Sequence, residues 1–122
     1  MPNPGNETVA LVAAAGLAAY YIAKRIKGEK RMPSQLVSEK IKAGARIIDV
    51  RTPDEFADGA YAGAKNIPLA ILPARMNELE PKDSAIVLYC ASGARSAQAA
   101  RLLKAAGFSD VTNAGGLDDM PE

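Results

Sequence analysis

The chain has no histidine and no tryptophan, and a single cysteine occurs among its 122 residues. Without histidine there is no imidazole base for catalysis and no imidazole ligand for zinc. One cysteine excludes an intrachain disulfide, a Cys-x-x-Cys redox pair and a thiolate-rich metal centre. Only a carboxylate set remains open to a metal, and no metal or other cofactor is expected. An excess of one charge is lacking as well: 15 Lys and Arg face 14 Asp and Glu, a formal net charge of +1. Counterion release therefore gives no hold on a nucleic acid. Neither the phosphate-loop pattern GxxxxGK followed by Ser or Thr nor GxGxxG occurs, so no nucleotide cofactor is implied. The length allows one domain with a short attachment.

What is present divides near Pro33. Residues 1–32 carry Lys24, Arg25, Lys27, Lys30 and Arg31 against Glu7 and Glu29, while residues 33–122 are net acidic. From Val9 to Ala23 no side chain is polar apart from the Tyr20 and Tyr21 hydroxyls. A helix apolar on every face belongs in a core or in lipid. The two tyrosines followed by basic residues give the order of an aromatic belt and a cytoplasmic flank. The expectation is a hydrophobic helix over residues 1–32 that spans the inner membrane once through residues 8–26, with the C-terminal domain in the cytoplasm. A bilayer crossing takes about 20 apolar residues, so the run is short. A helix packed on a partner, in a soluble cytoplasmic protein, is the alternative. A cleaved signal lacks its basic start.

Residues 33–122 read as one α/β domain. Ser34 to Ala43 has a helical pattern with Leu36, Val37 and Ile41 on one side, closed by Gly44. Ala45 to Val50 is a short apolar run, and Ala85 to Tyr89 is the strongest strand candidate. Thr52-Pro53-Asp54-Glu55 forms a capping box for a short helix ending by Gly59. An extended piece at Asn66 to Pro68, a helix from Pro73 to Leu79, a helix from Ser96 to Ala106 and a strand from Asp110 to Asn113 complete the pattern. Gly115-Gly116 reads as a turn. Helices and strands in this order argue for an open parallel sheet, whose ligands sit beyond the carboxyl ends of its strands.

Cys90 falls at such an end. The small residues Ala91, Ser92, Gly93, Ala94 and Ser96 after it can turn successive N–H groups inward as an anion cradle, with a helix N-terminus behind. Bringing a thiol from pKa about 8.5 to about 6.5 takes roughly 2.7 kcal/mol. A helix N-terminus supplies about 0.3–2 kcal/mol, and a cation about 4 Å away roughly 4 kcal/mol at an effective dielectric near 20. The dipole and Arg95 together suffice for a reactive thiolate. Arg95 either holds the loop or pairs with an anionic substrate.

Taken in order, these motifs resemble the rhodanese family. Ile48-Asp49-Val50-Arg51, Glu55-Phe56, Gly59, Gly63 to Pro68, Cys90-Ala91-Ser92-Gly93-Ala94-Arg95-Ser96, Gly107-Phe108 and Gly115-Gly116 carry the resemblance across roughly residues 33–120. It implies a parallel sheet of about five strands flanked by helices. It also implies a sulfurtransferase in which Cys90 takes sulfane sulfur from a donor anion such as thiosulfate, holds it as a persulfide and passes it to cyanide, a thiol or a protein acceptor. Asp49 and Arg51 would form a supporting charged pair near the active loop. The sequence departs from the family pattern at Ala60, at Ala91 and in lacking a tryptophan near Met120. Four residues separate Cys90 from Arg95, where the related cysteine phosphatases use five. A phosphatase is thus the weaker alternative, and a membrane-associated binding or regulatory module with a redox-sensing or idle cysteine is the competing class.

Overall fold

Successive side chains of the central strand go to opposite faces of a sheet buried on both sides, and this sets the architecture of residues 30–122, which the computed structural model describes. Strands β1 (Arg46–Asp49), β2 (Lys65–Asn66), β3 (Ile86–Cys90) and β4 (Val111–Gly116) form one parallel sheet in the order β2-β1-β3-β4. Helices α1 (Ser34–Lys42), α2 (Pro53–Ala57), α3 (Leu72–Arg75) and α4 (Ala94–Ala105) connect and cover it. Along β3, Ile86, Leu88 and Cys90 pack with Leu72 of α3 and with Ala99, Ala100 and Leu103 of α4. Val87 and Tyr89 pack on the other side with Val37 of α1 and Met120. A parallel sheet buried on both faces demands a continuously apolar central strand, and all five residues of β3 are buried.

The expected capping box is present: the Glu55 amide donates to Thr52 Oγ1 at 3.2 Å, and Glu55 Oε1 accepts from the Thr52 amide at 2.9 Å. Other details differ. The described sheet has four strands, where about five were expected. On the outer side of β4 the Met32 amide donates to the Asn113 carbonyl at 2.8 Å. Leu36, expected on the inner side of α1, is 46 % exposed, because the buried stripe of that helix runs through Val37 and the partly buried Ile41. The segment Leu69–Leu79 is two 3₁₀ turns around the single α-turn of α3. Helix α4 starts at Ala94, ahead of Ser96.

Gly115 and Gly116 are the end of β4 rather than a free turn. Ile48 and Asn113 both lie opposite Leu88, yet Cys90 is paired with Gly116, so β4 carries one extra residue beside the end of β3. Such a bulge re-aims the chain locally. The expected membrane helix through residues 8–26 lies outside the described residues. Among the described residues no helix is long and apolar enough to cross a membrane.

Candidate active site

Cys90 ends β3, and its side chain turns toward α4 with only 1 % of the residue exposed. The backbone reverses at Gly93, whose φ of +104° puts it in the left-handed region that favours glycine. This reversal directs the Gly93 amide to Cys90 Sγ at 3.0 Å and the Ser96 amide to it at 3.4 Å. The loop reaches this position because Gly116 has no side chain: a methyl group there would run into the Ala91 carbonyl.

Burial alone would push the Cys90 thiol up. The Ser96 hydroxyl and the amides of Ser96, Gly93 and Ser92 outweigh burial and bring it below its ordinary value. Of the residues expected to form the cradle, Ser92, Gly93 and Ser96 turn their amides to the sulfur. Ala91 abuts Gly116, and Ala94 opens α4. The Ser96 side chain is fully buried; its oxygen lies 3.5 Å from Sγ and 2.7 Å from Asn113 Oδ1.

The guanidinium of Arg95, expected to act as the cation at the sulfur, gives its hydrogen bonds to Glu55: Nη1 donates to Oε1 at 2.8 Å and Nη2 to Oε2 at 3.0 Å. Its pKa is raised chiefly by Glu55 and in smaller part by the charge of Cys90, so it senses the sulfur without bonding to it. These bonds tie the first turn of α4 to α2. Glu55 in turn is held at about 2, first by Arg95 and next by the Thr52 backbone N–H. One carboxylate thus caps α2 and clamps the first turn of α4.

Asp49 and Arg51 form a buried pair, with Arg51 Nη2 to Asp49 Oδ2 at 2.6 Å. The Tyr89 hydroxyl also donates to Asp49 Oδ2, at 2.7 Å, and accepts from the Tyr61 amide at 2.9 Å. Arg51 Nη2 reaches the Gly59 carbonyl at 2.8 Å. Desolvation, followed by the bond to Asp49, raises Tyr89 to about 12. Because Tyr89 and Cys90 alternate along β3, this cluster lies on the Tyr89 face of the sheet and not on the sulfur side. Among the described residues no three His, Cys, Asp or Glu side chains gather as metal ligands.

Sequence reasoning missed three features. Glu55 shows itself as a helix cap and as part of a family motif, but not as the partner of Arg95, which is 40 residues away. Asn113 was read only as the last residue of a strand. A cleft of about 430 Å³ beside Arg95, walled by Val50, Leu69, Ala70, Pro73 and Leu102, comes from loops that carry no local signature.

Comparison with known proteins bears on the family and the fold. The family model for a Rhodanese-like domain matches residues 32–119. The chain is similar to the uncharacterized protein YqhL of Bacillus subtilis, 37 % identical over 111 residues that make up 88 % of this chain and 86 % of that one. It is 39 % identical over 79 residues to the thiosulfate sulfurtransferase PspE of Escherichia coli, which covers 64 % of this chain and 76 % of PspE. A solved rhodanese with anions from Escherichia coli superposes with a TM-score of 0.60 at 38 % identity, covering 64 % of this chain and 95 % of that one.

Proposed function

Because the chain belongs to the rhodanese family, we propose that it transfers sulfane sulfur through a persulfide on Cys90. The Cys90 thiolate attacks the outer sulfur of a donor anion such as thiosulfate. A bond forms to Sγ as the donor S–S bond breaks, and its electron pair leaves with sulfite. The terminal sulfur then accepts a lone pair from cyanide, a small thiolate or a protein thiolate, and Sγ departs again as the thiolate. No general base is needed once the thiol is ionised, so the lack of histidine is no obstacle.

The observation that carries this reading is the pair of amides, Gly93 at 3.0 Å and Ser96 at 3.4 Å, aimed at the same sulfur. Donors fixed before the reaction stabilise an anion there with little reorganisation. Arg95 keeps three of its five N–H groups beyond those bound to Glu55. These are available to the donor anion, and the apolar cleft beside them offers room for the carbon part of an acceptor thiol. Asp49 and Arg51 act as supports of the loop.

Incubation of the full chain with thiosulfate, followed by intact mass measurement, tests the proposal. A one-sulfur adduct is expected on the wild type and none on Cys90→Ser. No adduct on the wild type overturns it in favour of a docking or regulatory module, the reading favoured by the 1 % exposure of Cys90. The run from Thr8 to Ile26 with its basic flank supports extending the proposal to attachment at the inner membrane, with the domain in the cytoplasm.

A further inference from the structure

The Ser96 hydroxyl has more claims on it than its one proton can meet. Its oxygen lies 2.7 Å from Asn113 Oδ1, 3.1 Å from the Gly93 carbonyl, 3.3 Å from the Gly115 carbonyl and 3.5 Å from Cys90 Sγ. The orientation of the Asn113 amide is fixed independently. The Gly115 N–H, at the bulge of β4, is 3.0 Å from the same Asn113 atom, and a backbone N–H only donates, so that atom is the oxygen. An oxygen facing Ser96 at 2.7 Å accepts, and the Ser96 proton therefore lies on the Asn113 side. Ser96 then presents lone pairs to Sγ, a geometry that suits a protonated thiol donating to Ser96 and opposes a thiolate.

We propose that Asn113 is a positioning residue that holds the Ser96 proton away from Cys90 while the sulfur is protonated, and yields it to the sulfur when the thiolate forms. The hydroxyl is a two-position switch. Turned to Asn113 it supports the thiol; turned to Sγ it adds a hydroxyl donor to the amides of Ser92, Gly93 and Ser96. Once the thiolate has bonded a second sulfur, the negative charge moves to the outer atom and the hydroxyl returns to Asn113. This inference rests on the sulfur-transfer reading for its role in a reaction cycle, but its measurement needs no sulfur donor.

The test is the pH profile of Cys90 alkylation by iodoacetamide in the full chain. Removing the competing acceptor in Asn113→Ala frees the hydroxyl to favour Sγ, so the apparent pKa falls. The Gly93 and Gly115 carbonyls remain as weaker acceptors and keep the shift near half a unit, about threefold in alkylation rate at acid pH. Asn113→Asp keeps the shape and the bond from Gly115 but strengthens the hold on the proton and adds negative charge, so the pKa rises. The Asn113→Ala shift should vanish in a Ser96→Ala background, because it travels through that hydroxyl, whereas the Asp shift should shrink there to the part that its charge exerts on the sulfur directly.

The charged groups around the loop stay in place in every variant. They are Arg95 on α4 with Glu55 on α2, the Asp49–Arg51 pair with Tyr89 on β1 and β3, and Asp119 with Arg31 beyond β4. Thermal melts establish that each variant is folded, and if Asn113→Ala is not, the isosteric Asp variant carries the test. Unchanged profiles, an Asn113→Ala shift that persists without Ser96, or an Asp shift of the same size with and without Ser96, overturn the proposal. Failure of the wild type to gain sulfur from thiosulfate would remove the transferase reading and leave these pKa shifts standing.

Discussion

At Glu55 one carboxylate serves two masters, and this gives a pH-dependent behaviour with a definite sign. Its folded value of about 2 lies below the ordinary 4.5, so the carboxylate is favoured by the fold. Its contribution to stability is complete above pH 4.5 and is lost as pH falls toward 2. Glu55→Gln removes the charge at every pH. The expected result is a lower urea midpoint than wild type at pH 7, with the two midpoints converging as pH drops through that window. Both side chains of the pair are 35 % exposed, so solvent screening keeps the difference small. A gap between the midpoints that does not narrow as pH falls toward 2 would show that the charge of Glu55 is not what stabilises the fold. The same residue shows what a sequence discloses. Thr52 and Glu55 are three apart, and local spacing announces their box. Arg95 is brought to Glu55 by the packing of α4 on the sheet, which no spacing encodes.

Among the elements, the end of β4 governs the loop after β3. Gly116 lies against the backbone of Ala91 and Ser92, and Gly93 has Gly115 Cα at 3.5 Å from where a Cβ would stand. Two chain segments touch there main chain to main chain. Gly116→Ala should drive the Ala91 carbonyl outward and carry the amides of Gly93 and Ser96 off the sulfur. We expect a drop of roughly tenfold or more in thiosulfate-dependent adduct formation. The stability loss should be about 1–3 kcal/mol, as overpacking generally gives. A variant that forms the adduct at the wild-type rate would show that the loop does not depend on this buttress. The Gly-Gly pair was legible as special but not as to its cause. Adjacent glycines signal a turn as readily as a close approach, and only the register shift between Leu88 and Cys90 distinguishes the two. Strand β3, by contrast, was readable because burial on both faces leaves it no polar position.

The whole molecule separates the sulfur-carrying face of the sheet from the face that holds the Asp49–Arg51–Tyr89 cluster, and the residues of both lie within the described domain. Every side chain and amide of the candidate site lies between Arg46 and Gly116. The described chain before α1 meets the domain through the Met32 amide, the Met32 side chain packed on the cluster around Tyr89 and Met120, and the Arg31 side chain, which lies beside Gly115 and 3.9 Å from Asp119. The α/β class and the place of Cys90 at a strand end followed from alternating runs in residues 33–122. The segment before them spoke only through composition: fifteen residues without a strongly polar side chain, then a basic cluster. These two parts are therefore expected to respond separately to truncation. Deleting residues 1–27 keeps Arg31 and Met32, and should leave the melting temperature and the thiosulfate adduct of the domain unchanged. It should also move the protein from the membrane pellet to the supernatant in fractionated cells, and full-length chain should be released by detergent but not by salt, because apolar insertion rather than surface charge holds it. Full-length chain found in the supernatant without detergent would refute attachment while leaving the Cys90 chemistry intact. Loss of the adduct on truncation would show instead that the N-terminal segment takes part in forming the site.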